Sequence, residues 1–224
     1  VWLVEARIDF EANGEPVIAR LGLPDNTPNF RVVSDQAAAP GYGYSVVTDH
    51  GVRRGEWSKR EAFGLQTIYY KIQFTEADNT SAEEELVAPS VRRIEWDGAA
   101  QDAAARQVLD VAWEKSADAK SLARELIKLL NAEVLEQNAA LLLSVESDNS
   151  ILFERLVNQA GVPARPALGL YLQDARRHQS LTRLVEIYDG NEWILFNPQT
   201  GAQGVPVVVV SQHNAPNTPA KSAK

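Results

Sequence analysis

Two stretches decide the fold: ILFERLVNQAGVPARPALGL, Ile151–Leu170, and LTRLVEIYDGNEWILFNPQTG, Leu181–Gly201. The first opens as a helix. Asp148, Asn149 and Ser150 offer side-chain oxygens to its free amides, and Gly161 tolerates the left-handed turn that ends it. Leu152, Leu156 and Ala160 recur at helical spacing, which predicts a helix over about 150–160. Strands follow at Ala167–Leu172, Leu181–Tyr188 and Trp193–Phe196, with Asp189-Gly190 turning between the last two.

Upstream, DAAARQVLDVAWEKSA and KSLARELIKLLNAEVLE place apolar residues three and four apart, as at Leu122, Leu126, Leu129 and Leu130, and predict two more helices. The N-terminal third reads differently. In VWLVEARIDFEA, Trp2, Val4, Ala6, Ile8 and Phe10 share one face while Leu3, Glu5, Arg7 and Asp9 share the other, the period of a half-buried strand. Asn13-Gly14 predicts a hairpin with PVIARLGL as the returning strand. PGYGYSVVTDHG and LQTIYYKIQF, Leu65–Phe74, supply further strands. Thr75–Glu85 is polar, acidic and aperiodic, a solvated linker. VPVVVV, Val205–Val210, is a final strand before the polar tail SQHNAPNTPAKSAK.

Strands, then helices, then strands predict an α+β fold with antiparallel sheets. The expected division is a β-rich domain over 1–95, an α+β domain over 96–211 and a flexible tail over 212–224.

Among 224 residues, 45% are apolar and 23% charged, enough to bury a core, so overall disorder is excluded. The net charge of −8 argues against nucleic acid as a partner. Without cysteine there is no thiol nucleophile, disulfide or thiolate metal site. Without methionine, Val1 is expected to follow processing or to begin a segment of a longer chain. No apolar run approaches the ~18 residues of a membrane span.

Phosphate loops and the GxSxG elbow are absent. Gly41–Ser45, GYGYS, is glycine-rich but opens no helix. His50, His178 and His213 stand apart, without metal-ligand spacing. No cofactor is expected.

The helix, the GVPAR turn at Gly161–Arg165, the VEIY run at Val185–Tyr188, and Trp193 ahead of Asn197-Pro198 come in a characteristic order. Together, over about 100–205, they resemble the transglutaminase-like superfamily, the papain-related core. There a nucleophile helix precedes a GIPAR-like turn, an HAWVEVY-like strand and a W-x-x-x-D-P segment. The resemblance implies a Cys–His–Asp triad. Its positions fall at Glu146 or Ser147, Thr182 and Asn197. Thr182 cannot act as a general base near neutral pH, so Ser147 would have no activator from that position. An inactive transglutaminase-like fold is implied, a pseudoenzyme.

WLVEARIDFEANGEPV, PGYGYSVV, RRGEW and GLQTIYY resemble a bacterial family of inactive transglutaminase domains fused to seven transmembrane helices. That resemblance implies a soluble part in the periplasm, at the inner membrane, with flanking transmembrane helices outside this segment. It also implies a functional link to an ATP-grasp ligase. The expected function is a non-catalytic recognition or sensor domain whose degenerate groove takes a peptide, a peptidoglycan fragment or a partner protein. The alternatives are a hydrolase or acyltransferase with a relocated site, using His178 with a nearby Asp, and a purely structural module. Candidate ligand residues are Arg183, beside the lost histidine, with His178 and Arg177 (next to Arg176) in the preceding loop, and Trp193. Arginine forks suit carboxylates. No metal ligands are expected.

Overall fold

The computed structural model describes residues 1–24, 26, 30–49, 52–76, 89–171, 180–201 and 207–211. Strands come first: β1 (Trp2–Asn13), β2 (Val17–Gly22), β3 (Phe30–Ala38), β4 (Gly43–Asp49), β5 (Val52–Lys59) and β6 (Phe63–Glu76). Helices follow as α1 (Ala99–Trp113), α2 (Ala119–Leu130), α3 (Gln137–Val145) and α4 (Asn149–Gln159). The last strands are β7 (Ala164–Tyr171), β8 (Thr182–Tyr188), β9 (Trp193–Phe196) and β10 (Val207–Ser211). Contacts divide the chain into two compact units, one built on the first six strands and the other on the helices with β7–β9. The α+β class and the antiparallel pairing agree with the sequence reading. His50, Arg176, Arg177, His178, His213, the acidic linker beyond Glu76 and the tail over 212–224 lie outside the described residues.

The first unit is two three-stranded sheets, ordered β1-β6-β3 and β2-β5-β4. The alternating face of β1 behaves as its sequence demands: Trp2, Val4, Ala6, Ile8 and Phe10 pack against Leu23, Phe30, Trp57, Ile68, Tyr70, Ile72 and Phe74. The hairpin expected at Asn13-Gly14 does not form. Gly14 does take a positive φ of 95°, but β1 pairs antiparallel with β6 from Trp2↔Phe74 to Asn13↔Phe63, and β2 pairs with β5. The turn carries the chain from one sheet to the other. A fourteen-residue β6 matches the full length of β1, whereas the six residues of β2 would leave half its ladder unpaired.

In the second unit, α1, α2 and α4 arise where apolar spacing placed them. Asp118 starts α2 with a capping box, accepting from Ser121 N–H at 2.7 Å. The α2 helix stops at Leu130, six residues short of the expected end. Asn131 Nδ2 donates to Ile127 O at 2.8 Å and to Pro198 O at 2.7 Å, closing the helix and tying it to the turn after β9. The short α3 was not anticipated; Glu136 at its start makes no side-chain cap. Asp148 caps α4, accepting from Ser150 N–H at 2.8 Å and Ile151 N–H at 3.4 Å, and Gly161 follows its end at φ 84°. The β7–β8–β9 ladder is antiparallel throughout, from Ala164↔Ile187 and from Tyr188↔Trp193.

The β8–β9 turn is held by Asp189. Its Oδ1 accepts from the amides of Asn191 and Glu192, each at 2.9 Å, and Lys120 lies 3.0 Å from Oδ2. Those amides first, then the lysine, favour the carboxylate and hold its pKa at about 2. A lowered native pKa contributes stability that is present above the unfolded value of ~3.9 and is lost as pH falls toward 2. Acid titration of unfolding should therefore show a loss between pH 4 and 2 that Asp189→Asn flattens; identical acid limbs in the two proteins would refute the assignment.

Candidate functional site

Of the positions inferred from sequence, Glu146 and Ser147 directly precede α4, Thr182 opens β8 and Asn197 directly follows β9. Glu146 is the C-cap of α3, and its Oε1 accepts from Asp148 N–H at 3.2 Å. Glu146 and Ser147 thus lie just before α4, while the helix N-terminus itself belongs to Asp148, Asn149 and Ser150. β8 starts against this turn: Ser150 Oγ donates to Arg183 O at 3.4 Å. Thr182, the neighbour of Arg183, opens that strand. Asn197 directly follows β9 and is buried. Its Nδ2 donates to Tyr171 Oη, and its Oδ1 accepts from Gln199 N–H at 3.0 Å and Thr200 N–H at 3.3 Å. Both ends of the amide are used in holding a turn. Asn149 Nδ2 reaches Asn131 Oδ1 at 3.1 Å, so the end of α2, the start of α4 and the turn after β9 share one hydrogen-bond network.

The site holds no thiol nucleophile. No cysteine exists in the chain. The Ser150 hydroxyl is buried, with a long contact of 3.4 Å to the Arg183 carbonyl. What the site offers instead is a cation. Arg183 is 45% exposed, and its Nη1 lies 3.6 Å from Asp148 Oδ2. The Asp148 carboxylate therefore sits between the first amides of α4 and a guanidinium.

Trp193 does not join Arg183. It pairs with Tyr188, five residues along β8 and so roughly 16 Å away at ~3.3 Å per residue. Its ring lies 4.0 Å from the Arg165 guanidinium and 5.6 Å from the Tyr188 ring, while Arg165 is paired with Glu186 at 2.6 Å. This cluster braces the far end of the sheet. A cleft of about 510 Å³ opens near the Asn197 turn, where Arg124, Ile127 and Lys128 of α2 face Gln199–Gly201.

Sequence reasoning missed the polar stripe of α4. Ser150, Glu154 and Asn158 recur every fourth residue and are all buried. Such spacing reads as a solvated helix face. Here it lies against β7, β8 and residues 89–96. Asn158 is its anchor: Nδ2 donates to Ala164 O at 2.9 Å and Glu154 O at 3.0 Å, and Oδ1 accepts from Ala164 N–H at 3.3 Å and Arg92 N–H at 3.1 Å. By pairing with Ala164 the side chain extends β7 three residues ahead of the expected Ala167.

Comparison with known proteins adds three findings. A family model described as "Inactive transglutaminase fused to 7 transmembrane helices" matches residues 1–146. No curated protein matches. Among solved structures, a proposed cysteine protease from Cytophaga hutchinsonii aligns with a TM-score of 0.52 at 12% identity, covering 94% of this chain and 83% of that one. At that identity the likeness is one of fold, and it extends over α4 and β7–β9, which the family match does not reach. A structure of a transglutaminase aligns with a TM-score of 0.31 at 10% identity, covering 94% of this chain and 55% of that one, too low a score to bear on the fold. Among the described residues no helix is long and apolar enough to cross a membrane.

Proposed function

The chain belongs to the family of inactive transglutaminases fused to seven transmembrane helices, and from that premise we propose that it is a non-catalytic recognition module that binds carboxylate-bearing peptides or peptidoglycan fragments beside the first turn of α4. In this reading the module stands on the periplasmic face of a bacterial inner membrane. Flanking helices hold it there, and it passes occupancy to them.

The observation that carries the reading is the half-exposed Arg183 at a helix start that already accommodates a carboxylate, that of Asp148. The guanidinium fork matches a planar carboxylate, and helix N-termini favour negative charge. The separation of 3.6 Å leaves the Asp148–Arg183 pair loose enough for a ligand carboxylate to compete for the exposed donors. Two facts weigh against a relocated hydrolytic site at this turn: the absent thiol and the burial of the Ser150 hydroxyl.

NMR titration with an acidic peptide and a muropeptide tests the proposal. Shifts should centre on Asp148–Ser150 and Thr182–Arg183, weaken as salt rises, and require about tenfold more ligand in Arg183→Ala, the loss of one charge-assisted contact. Shifts confined to Arg124 and Lys128 would move the site to the neighbouring cleft. None at millimolar ligand would leave a structural module.

A further inference from the structure

Five contacts fasten residues 92–96, which precede α1, to α4. Arg92 N–H donates to Asn158 Oδ1 at 3.1 Å, and Arg92 Nη2 lies 3.2 Å from Glu154 Oε1. Arg155 Nη2 donates to Glu95 O at 2.9 Å. Trp96 Nε1 donates to Gln159 Oε1 at 2.6 Å, and the Arg155 guanidinium stands 4.0 Å from the Trp96 ring centroid. The stretch has no helix or strand of its own, so these bonds replace the ladder that would otherwise hold its backbone.

One member of the set is out of place by ordinary chemistry. The Glu154 side chain is only 8% exposed, whereas its partner Arg92 is 51% exposed. The charged groups facing it are Arg92 from residues 92–96, Arg183 from β8 and Arg155 from α4 itself. Burial nevertheless outweighs the three guanidinium groups and raises the carboxyl above its ordinary range.

We propose that residues 92–96 form a releasable strap on α4 whose closure is graded by the ionisation of Glu154. Opening admits water to the carboxylate that the closed strap helps to bury. The closed form then holds the proton more tightly than the open form, so acid closes the strap and a rise of pH through the Glu154 titration loosens it. A simple ion-pair latch would respond with the opposite sign, opening in acid. Arg92 limits the loosening by supplying the counter-charge; without it the ionised carboxylate would be buried with less compensation.

Amide hydrogen exchange on the whole chain reads this directly, with rates corrected for intrinsic pH dependence. In the wild type, protection of the Arg92 amide and the Trp96 indole should fall as pH rises above the ordinary glutamate range. The limiting change is about tenfold for each pH unit by which strap closure displaces the titration. Glu154→Gln, neutral and of the same shape, should hold the acid-side protection at every pH. Arg92→Ala should steepen the loss, and adding Glu154→Gln to it should restore most of the protection. A flat wild-type profile, protection that rises with pH, or a slope that survives in Glu154→Gln would each overturn the proposal. If Glu154→Gln does not fold, the wild-type and Arg92→Ala profiles still decide it.

Discussion

Asn158→Ala lowers the stability of the helical unit by about 3 kcal/mol. The side chain is buried and makes four hydrogen bonds to backbone groups: two to Ala164, one to Glu154 and one to Arg92. Truncation strands the Ala164 amide and carbonyl in the core, and each buried polar group left unpaired costs ~1–3 kcal/mol. The loss should appear as a lower urea midpoint followed by far-ultraviolet circular dichroism. Asn158→Asp should fail too, since it gives up both donated bonds and adds a second carboxylate beside Glu154. A loss below about 1 kcal/mol for Asn158→Ala would mean that water satisfies these groups, and that the start of β7 does not depend on the side chain.

Trp57→Ala has the largest effect expected in the β unit, about 4 kcal/mol. Trp57 is 0% exposed and lies against Tyr44 and Tyr70, at 4.8 and 6.2 Å between ring centroids. Removing a buried indole loses its transfer energy and leaves a cavity, typically 3–5 kcal/mol. The indole N–H is itself buried without a hydrogen-bond partner. Trp57→Phe should therefore cost much less than volume alone suggests, because it also removes an unsatisfied donor. Intrinsic fluorescence and denaturant unfolding of both variants check this. Equal losses for Phe and Ala would show that the N–H has a partner, such as an ordered water.

How much could be read in advance depends on the period of each segment. β1 was legible because its side chains alternate cleanly, and α2 and α4 because leucines repeat on one face, with an Asp148 cap offered to α4. The partner of β1 was not legible. Asn13-Gly14 is a local signal, and pairing with β6 is a long-range outcome of strand length that no local signal carries. β3 escaped notice because most of FRVVSDQAA is exposed, and α3 because its apolar run is short and uncapped. At the site, the order of motifs singled out Arg183 and Asn197, and their hydrogen-bond partners were not legible. Trp193, grouped with Arg183 as a candidate, lies instead beside Tyr188 and Arg165. The buried roles of Glu154 and Asn158 were not legible, since periodicity tells which residues share a face but not what lies against it.

The pairing of β1 with β6 has a consequence for synthesis. Partners along this ladder are separated by 50 residues at Asn13↔Phe63 and by 72 at Trp2↔Phe74. At the ~5–20 residues per second of translation, roughly 3–10 s pass between the emergence of the last β1 residue and that of its first partner. During that interval a strand carrying Trp2, Val4, Ile8 and Phe10 on one face has neither its ladder nor its core; α1, α2 and α3, made later, pack mostly over nearer stretches of chain. The β unit is the high-contact-order half of the molecule and should be the slower to fold. The nascent β1 edge is where a holding chaperone, or a second copy of the chain, would first find purchase.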